Sequence, residues 1–547
     1  MRKIRILCLL ALVLTSLTGY AQHDFQVVRG NCMPAPEGDT VAGARSSKPY
    51  RLRSINRNWD PTRVYKQLVI LVEFKGDSTY FQMENPKAFH DDLFNTSGFN
   101  QRKGKGCVAD YFRDQSNGLL NLQFDVYGPY VLDQKAQPYS KPTENTRNYG
   151  RNALVEATKM FLAENPELDF SQYDWDNNGK VTQVIFVFAG TAGNTSGQEC
   201  LGYLWPNTSA FSSITTHDGF TISDYTCSAE KWHPNYSYSC GIGTICHEFA
   251  HSLGLPDIYP TAGGAGFSVC DEWDLMDGGN FTNYGWCPPN FTAFEKYLLG
   301  WTSLNKLDEP TSVKDMKPLS EGGEALVVCH TNDEYLLLEN RQHCGWDACA
   351  PGKGLVIYHV HYNASAWNGN TVNNNADKRR FELVHADNLD YDGWDNLLYD
   401  RHANPWAFSG RIHNYHLSTS PYPWTTDSTD FVNNELTDTS VPAPKMNCPN
   451  DNGDTFLHKP ITNIQMTEDG LISFDFMGGD KTGIENLKPQ TSARPKDACY
   501  QRDARNLQPQ FYDLQGRSVS GTNGQGIYIQ RRADGTIRKC LNKLYIY

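Results

Sequence analysis

The chain has 547 residues, 39% hydrophobic and 12% aromatic, with a mean hydropathy of -0.56. That composition excludes both a polytopic membrane protein and a disordered one. Its 49 basic residues stand against 62 acidic ones, a net charge of -13, so it has no general attraction to nucleic acid or anionic lipid and is better suited to holding cations.

Residues 1–21 read as a secretory signal peptide. Arg2, Lys3 and Arg5 precede an apolar run at 6–14 that is too short to span a bilayer, and Gly19 and Ala21 flank Tyr20 before a cut at Gln22. No later transmembrane run follows, so a secreted or cell-surface protein is expected. Cys8 lies in the leader, and the other fourteen of the fifteen cysteines form an even set that suits disulfides in an oxidising compartment. A local bridge between Cys344 and Cys349 is predicted.

Residues 22–62, broken by Pro34, Pro36, Gly38 and Pro49, form a prosegment or linker. Cys32 within it suits a disulfide better than a latency contact with a metal. Strands are predicted at 68–74 (LVILVEF), 119–131 and 181–190, and helices at 107–117 and 152–163. This mixture predicts an α+β (mixed α/β) catalytic domain over 63–303. A β-rich domain over 304–478 follows, with strands at 325–329, 335–338, 354–362, 381–385 and 471–476. A polar linker (479–507) leads to a small C-terminal β module (508–547).

Residues 239–259 (SCGIGTICHEFAHSLGLPDIY) carry the chemistry. Ile242, Ile245, Phe249, Ala250 and Leu253 have helical spacing, which puts His247 and His251 one turn apart on one face as two nitrogen ligands for zinc. Glu248 beside them can act as general base on a water. Gly254 and Pro256 end the helix, and Asp257 arrives at a spacing that suits a third ligand. The bland alternative is a helix whose histidines are merely hydrogen-bonded to backbone. In WDLMDGG, residues 273–279, Met276 sits in a tight turn that resembles the methionine turn of metzincin-type enzymes; otherwise it only fills core.

The segments VADYFRDQSNG (108–118), YDWDNNGKVTQV (173–184), CHEFAHSLGLPDIY (246–259), WDLMDGG and FEKYLLGW (294–301) resemble the immune inhibitor A family of secreted zinc metallopeptidases. GLVIYHVHY (354–362) and LVHAD (383–387) are similar to the downstream half of such proteins. The resemblance implies hydrolysis of protein or peptide substrates at a single zinc, with His247 and His251 as ligands and Glu248 as general base. Asp257 is the expected third ligand, with Asp271, Glu272 and Asp274 as alternatives. A catalytically silent surface binding protein and a non-peptidase zinc hydrolase are the rival readings, and an intact Glu248 argues against the first.

Asp174, Asp176, Asn178, the Lys180 carbonyl and Thr182 resemble the start of an EF-hand loop and make calcium a second expected cofactor. Ile185 replaces the bidentate glutamate at position twelve, so a full EF-hand is excluded. His359 and His361 share a strand face but lack a third ligand and read as hydrogen-bonded strand histidines. Tyr284 reads as packing or surface rather than as an oxyanion donor. The tail FYDLQGRSVSG…GQGIYIQRR resembles the sorting domains of Bacteroidota type IX export, which implies outer-membrane secretion machinery as a partner.

Overall fold

The apolar run at 68–74 becomes the middle of a sheet. The computed structural model describes residues 58–136, 144–193, 204–233, 239–262, 268–390, 416–425 and 432–479, with short strands beyond 510. The leader, most of the 22–62 segment and Cys32 lie outside the described residues. The first sheet contains β1 (Val64–Phe74), β2 (Asn121–Leu132), β3 (Val184–Thr191), β4 (Asn207–Thr215) and β5 (Thr221–Lys231) in the order β2-β1-β3-β5-β4. All neighbours are parallel except β4, which pairs antiparallel with β5 at one edge. Burial on both faces explains why β1 and β3 read as near-continuous apolar runs.

Alternation along the strands divides two cores. Val69, Leu71, Ile185 and Val187 belong to the core that includes Ile245 and Phe249 of helix 243–252. Leu68, Ile70, Val184 and Phe186 share the other core with Ala157 and Phe161 of the helix Glu144–Glu164. In chain order the helices are α1 (Pro86–Asn95), α2 (Val108–Gln115), α3 (Glu144–Glu164), α4 (Gly243–Ser252), α5 (Ala293–Leu298) and α6 (Ala364–Asn368). Caps fix their starts. The Asn85 side chain accepts from Ala88 N ahead of a proline-led α1, and Cys107 with Asp110 and Thr292 with Glu295 form capping boxes for α2 and α5.

The strands expected over 119–131 are one long strand, β2. Gly128, at φ 93, kinks it where a Cβ would stand 2.8 Å from the Leu71 carbonyl oxygen, and the β1–β2 register slips there. The helix expected from 152 begins eight residues earlier, at Glu144.

The β-rich region has a five-stranded sheet, β11-β10-β9-β8-β6, from β6 (Asn305–Lys306), β8 (Leu326–Cys329), β9 (Glu334–Arg341), β10 (Gly354–His361) and β11 (Phe381–Leu383). A three-stranded sheet of β7 (Thr311–Met316), β14 (Ile461–Met466) and β15 (Ile472–Phe476) packs against it through a third core that includes Leu336, Leu338, Ile461 and Phe474. The pair β12 (Trp424–Thr425) and β13 (Val432–Asn433) is separate. The core around α4 continues into the five-stranded sheet, where Phe294 of α5 stacks on Phe381 at 5.7 Å and meets Tyr335. Arg341 on β9, wholly buried, pairs with Asp347 at 2.6 Å and Glu339 at 3.2 Å and donates to the Asn290 carbonyl. Breaking such a pair would leave an uncompensated buried charge beside α5.

The predicted Cys344–Cys349 bridge is not formed. Both cysteines are free, and the Cys349 thiol contacts Cys287 instead. Spacing in sequence put the two cysteines within reach, but the short 345–347 turn between them carries Cys349 across to the neighbouring segment. The tail contains four antiparallel strands, β16 (Gln510–Tyr512), β17 (Ser518–Val519), β18 (Gly526–Arg531) and β19 (Ile537–Asn542). No helix among the described residues is long and apolar enough to cross a membrane.

Candidate metal centre

Helix α4 is buried along its whole length, so each of its polar side chains must answer to a partner inside the protein. Its N-terminus packs against the 279–285 turn so closely that a Cβ on Gly243 would stand 2.2 Å from the Asn280 carbonyl oxygen. It ends as expected. Gly254 takes φ 105 and donates to the His251 carbonyl, and the Leu255 N–H reaches back to Ala250. The reversed chain then places Asp257 against the two histidines.

The Nε2 atoms of His247 and His251 each lie 3.2 Å from Asp257 Oδ1. Both Nδ1 atoms donate to backbone carbonyls at 2.7 Å, His247 to Leu275 and His251 to Leu255. Those bonds put the ring protons on Nδ1 and leave the Nε2 lone pairs for a ligand. His247 Nε2 and Asp257 Oδ1 are buried without a hydrogen-bond partner.

A cation fits this cluster. Ligand atoms of His247, His251 and Asp257 lie within 4.8 Å of one another, and a separation of 3.2 Å suits atoms that are each about 2 Å from a common zinc. Two imidazoles and one carboxylate form a donor set that zinc accepts while keeping a position open. The electrostatics agree. Burial opposes charge on His251, yet the Asp257 carboxylate raises its pKa to about 9. Asp257 itself, although buried, is held well below the usual carboxylate range by His251 and His247. The cluster therefore favours a positive charge beside Asp257.

A second carboxylate completes the site. Burial raises the Glu248 pKa to about 7 against the pull of His247 and His251. Its Oε2 accepts from the Thr208 hydroxyl at 3.0 Å, while Oε1 is buried without a partner. One oxygen is thus anchored and the other is left to take a proton.

Met276 is buried in a turn that touches the site through its backbone. Asp274 Oδ1 accepts from the Met276 N–H, the Met276 carbonyl accepts from Ile258 N–H, and the Leu275 carbonyl orients His247. Asp274 caps this turn and its carboxyl lies beside that of Glu295, and it is not among the atoms clustered with the two histidines. Asp271 and Glu272 belong to the neighbouring 3-10 turn and are not among the clustered ligand atoms.

Two contributors have no signature near the helix. Thr208 reaches Glu248 from β4. Asn370, at φ 54 in the turn after 368–369, donates from Nδ2 to Asp257 Oδ2 and accepts from the Asp257 N–H, both at 2.6 Å. A left-handed asparagine beside Gly369 was the only local hint of the latter.

In the loop at 174–182, Asp174 Oδ2 accepts from Gly179 N–H, Asn178 Oδ1 from Lys180 N–H and Thr182 Oγ1 from Trp175 N–H. Asp176 is exposed, and Asp174 Oδ1 is buried without a partner. Three of the expected side-chain ligands, Asp174, Asn178 and Thr182, therefore already give an oxygen to the turn. Tyr284 packs edge-on against Trp232, with the Arg102 guanidinium 4.2 Å over its ring.

Residues 62–302 match the family described as Immune inhibitor A peptidase M6, catalytic domain. Two Vibrio cholerae sequences, both named Pre-pro-metalloprotease PrtV, are 22% identical over 272 residues, or 44% of this chain and 28% of theirs. Immune inhibitor A of Bacillus thuringiensis subsp. alesti is 22% identical over 321 residues, 50% of this chain and 46% of its own. The chain thus spans less than half the length of the curated relatives it matches.

Proposed function

We propose that this protein is a secreted zinc-dependent endopeptidase. The observation that carries the reading is the meeting of His247, His251 and Asp257, whose buried ligand atoms converge with His247 Nε2 and Asp257 Oδ1 left without hydrogen-bond partners, one residue from a buried carboxylate. Zinc held by these three residues would polarise the scissile carbonyl and lower the pKa of an attacking water. Glu248 Oε1 takes a proton from that water and then delivers it to the leaving amide nitrogen, so one water is consumed and one acid and one amine are released. Leu275 and Leu255 keep both imidazoles in the ligating tautomer, and Asn370 holds Asp257 by its second oxygen.

The same reading includes export through the leader at 1–21 and the tail at 508–547, protein substrates, and calcium at the 174–182 loop, where Asp174 Oδ1 is the buried oxygen without a partner. A calcium-dependent rise in melting temperature, absent in Asp174→Asn, tests the last point.

Cleavage of casein tests the function. Activity should vanish with a chelator, return with zinc, and be absent in Glu248→Ala whatever the metal. If stoichiometric zinc is bound and no protein or peptide is cut, with or without residues 22–62, the fold serves binding instead.

A further inference from the structure

A row of buried polar side chains crosses the first sheet on the face that α4 covers. Gln67, next to the start of the paired stretch of β1, donates to the Gln183 carbonyl at 2.5 Å. The Gln183 amide donates to the Thr226 hydroxyl on β5. Thr226 faces Thr208 across the antiparallel β4–β5 pair, and their hydroxyls are 3.1 Å apart. The Thr208 hydroxyl lies 2.6 Å from the Glu248 carbonyl and 3.0 Å from its Oε2. Gln67, Gln183 and Thr226 are at most 1% exposed and Thr208 is 7% exposed.

Four polar groups in an apolar sheet core are costly unless their bonds do something. The flanking residues Val69, Leu71, Ile185 and Val187 show that aliphatic side chains pack well on this face. The row also has a direction. Gln183 meets Thr226 as a donor, so the single Thr226 hydrogen goes onward, to Thr208 or to the Glu248 carbonyl at 3.4 Å. On its far side Thr208 meets only oxygen atoms of Glu248, so its own hydrogen goes to that residue.

We infer that Thr208, backed by Thr226 and Gln183, is a positioning residue that holds one carboxylate oxygen of Glu248 so that the other handles the proton. This deepens the peptidase reading and rests on Glu248 as its general base. The one Thr208 hydrogen is shared between the Glu248 carbonyl at 2.6 Å and Oε2 at 3.0 Å, and with Oε2 so engaged a proton arriving on Glu248 goes to Oε1, the oxygen without a partner. A carboxylate free to rotate would spread that proton over both oxygens and lose alignment with the substrate, a loss felt in turnover and not in substrate binding.

Thr208→Val keeps the shape of the side chain and removes the donor, and Thr208→Ser restores it. In the full-length zinc-loaded protein, Thr208→Val should lower kcat about tenfold to a hundredfold, the size of one hydrogen bond to a charged group, with KM unchanged. Thr208→Ser should recover most of that loss, and Thr226→Val should lower kcat roughly threefold through the weakened relay. Crystal structures supply the readout that does not depend on turnover. The Glu248 carboxylate should hold one orientation in wild type and Thr208→Ser and shift or split in Thr208→Val. Wild-type kcat in Thr208→Val, an equal loss in Thr208→Ser, or an unmoved Glu248 in the Thr208→Val crystal would each overturn the inference. Should Thr208→Val fail to fold, Thr226→Val and Thr208→Ser decide it in the same two assays. A wild-type protein that cleaves nothing overturns the peptidase reading, and the crystal structures alone then decide whether Thr208 orients Glu248.

Discussion

Two clusters in this molecule gather imidazoles and carboxylates and do opposite things with them. In the first region, His247, His251 and Asp257 turn their ligand atoms toward one another and leave two of them without hydrogen bonds. In the β-rich region, Glu334, His361 and Cys448 also bring ligand atoms within 4.8 Å, with His361 Nε2 3.8 Å from Cys448 Sγ, but both oxygens of the Glu334 carboxylate are already engaged. Glu334 accepts from His359 Nε2 at 2.7 Å and from the backbone N–H groups of Asn447 and Cys448. His359 also reaches Glu382 at 3.2 Å, and the His361 Nδ1 meets the Asn447 amide. The first arrangement has room for a cation. The second already contains its cation, the imidazolium of His359, which Glu334 and Glu382 hold to a pKa of about 9 despite burial. What separates a metal centre from an ion pair is thus the hydrogen-bond ledger, not composition.

The largest effect expected from breaking this contrast is at Asp257. Asp257→Ala removes a ligand, so zinc content and casein cleavage should fall by more than the roughly hundredfold typical of an outer-shell loss, as metal analysis and initial rates would show. Next comes His359→Leu. It strands the buried Glu334 charge and should cost about 3 kcal/mol or more of stability, read by denaturant unfolding, while any folded protein keeps its zinc. Asn370→Ala should weaken zinc affinity about tenfold in a competition titration with a chelator, because Asp257 loses its anchor. The smallest effect belongs to Cys448→Ser, which should leave zinc stoichiometry unchanged; a drop by one ion per chain would turn the second cluster into a metal site.

The ion-pair half of the comparison also has a pH signature. The folded pKa of His359 lies above its ordinary value, so its contribution to stability is complete below about pH 6.5 and is lost as the pH rises through about 9. Unfolding free energy should therefore decline over that window, and His359→Gln should flatten the decline.

The catalytic helix was legible in the sequence because its information is local. Helical spacing fixes His247, Glu248 and His251, and Gly254 with Pro256 dictates the reversal that brings in Asp257. The strands expected at 68–74 and 354–362 were equally clear from apolar runs of strand length, although β1 begins four residues earlier, at Val64. Thr208 and Asn370 were not legible, since they lie 40 and 113 residues from their partners and only the β4–β5 pairing and the packing of the β-rich region bring them in. The Cys344–Cys349 expectation failed for a related reason, since short spacing says nothing about which way the intervening turn points.

On the proposed reading one buried cluster holds zinc, and Glu248 performs chemistry beside it without helping to hold it. Zinc per chain and casein cleavage, measured together on wild type and Glu248→Gln, test this most directly. The account predicts one zinc in both proteins at the His247–His251–Asp257 cluster and cleavage in the wild type alone. Cleavage by Glu248→Gln at the wild-type rate, or a wild-type protein that cleaves without zinc, would contradict it.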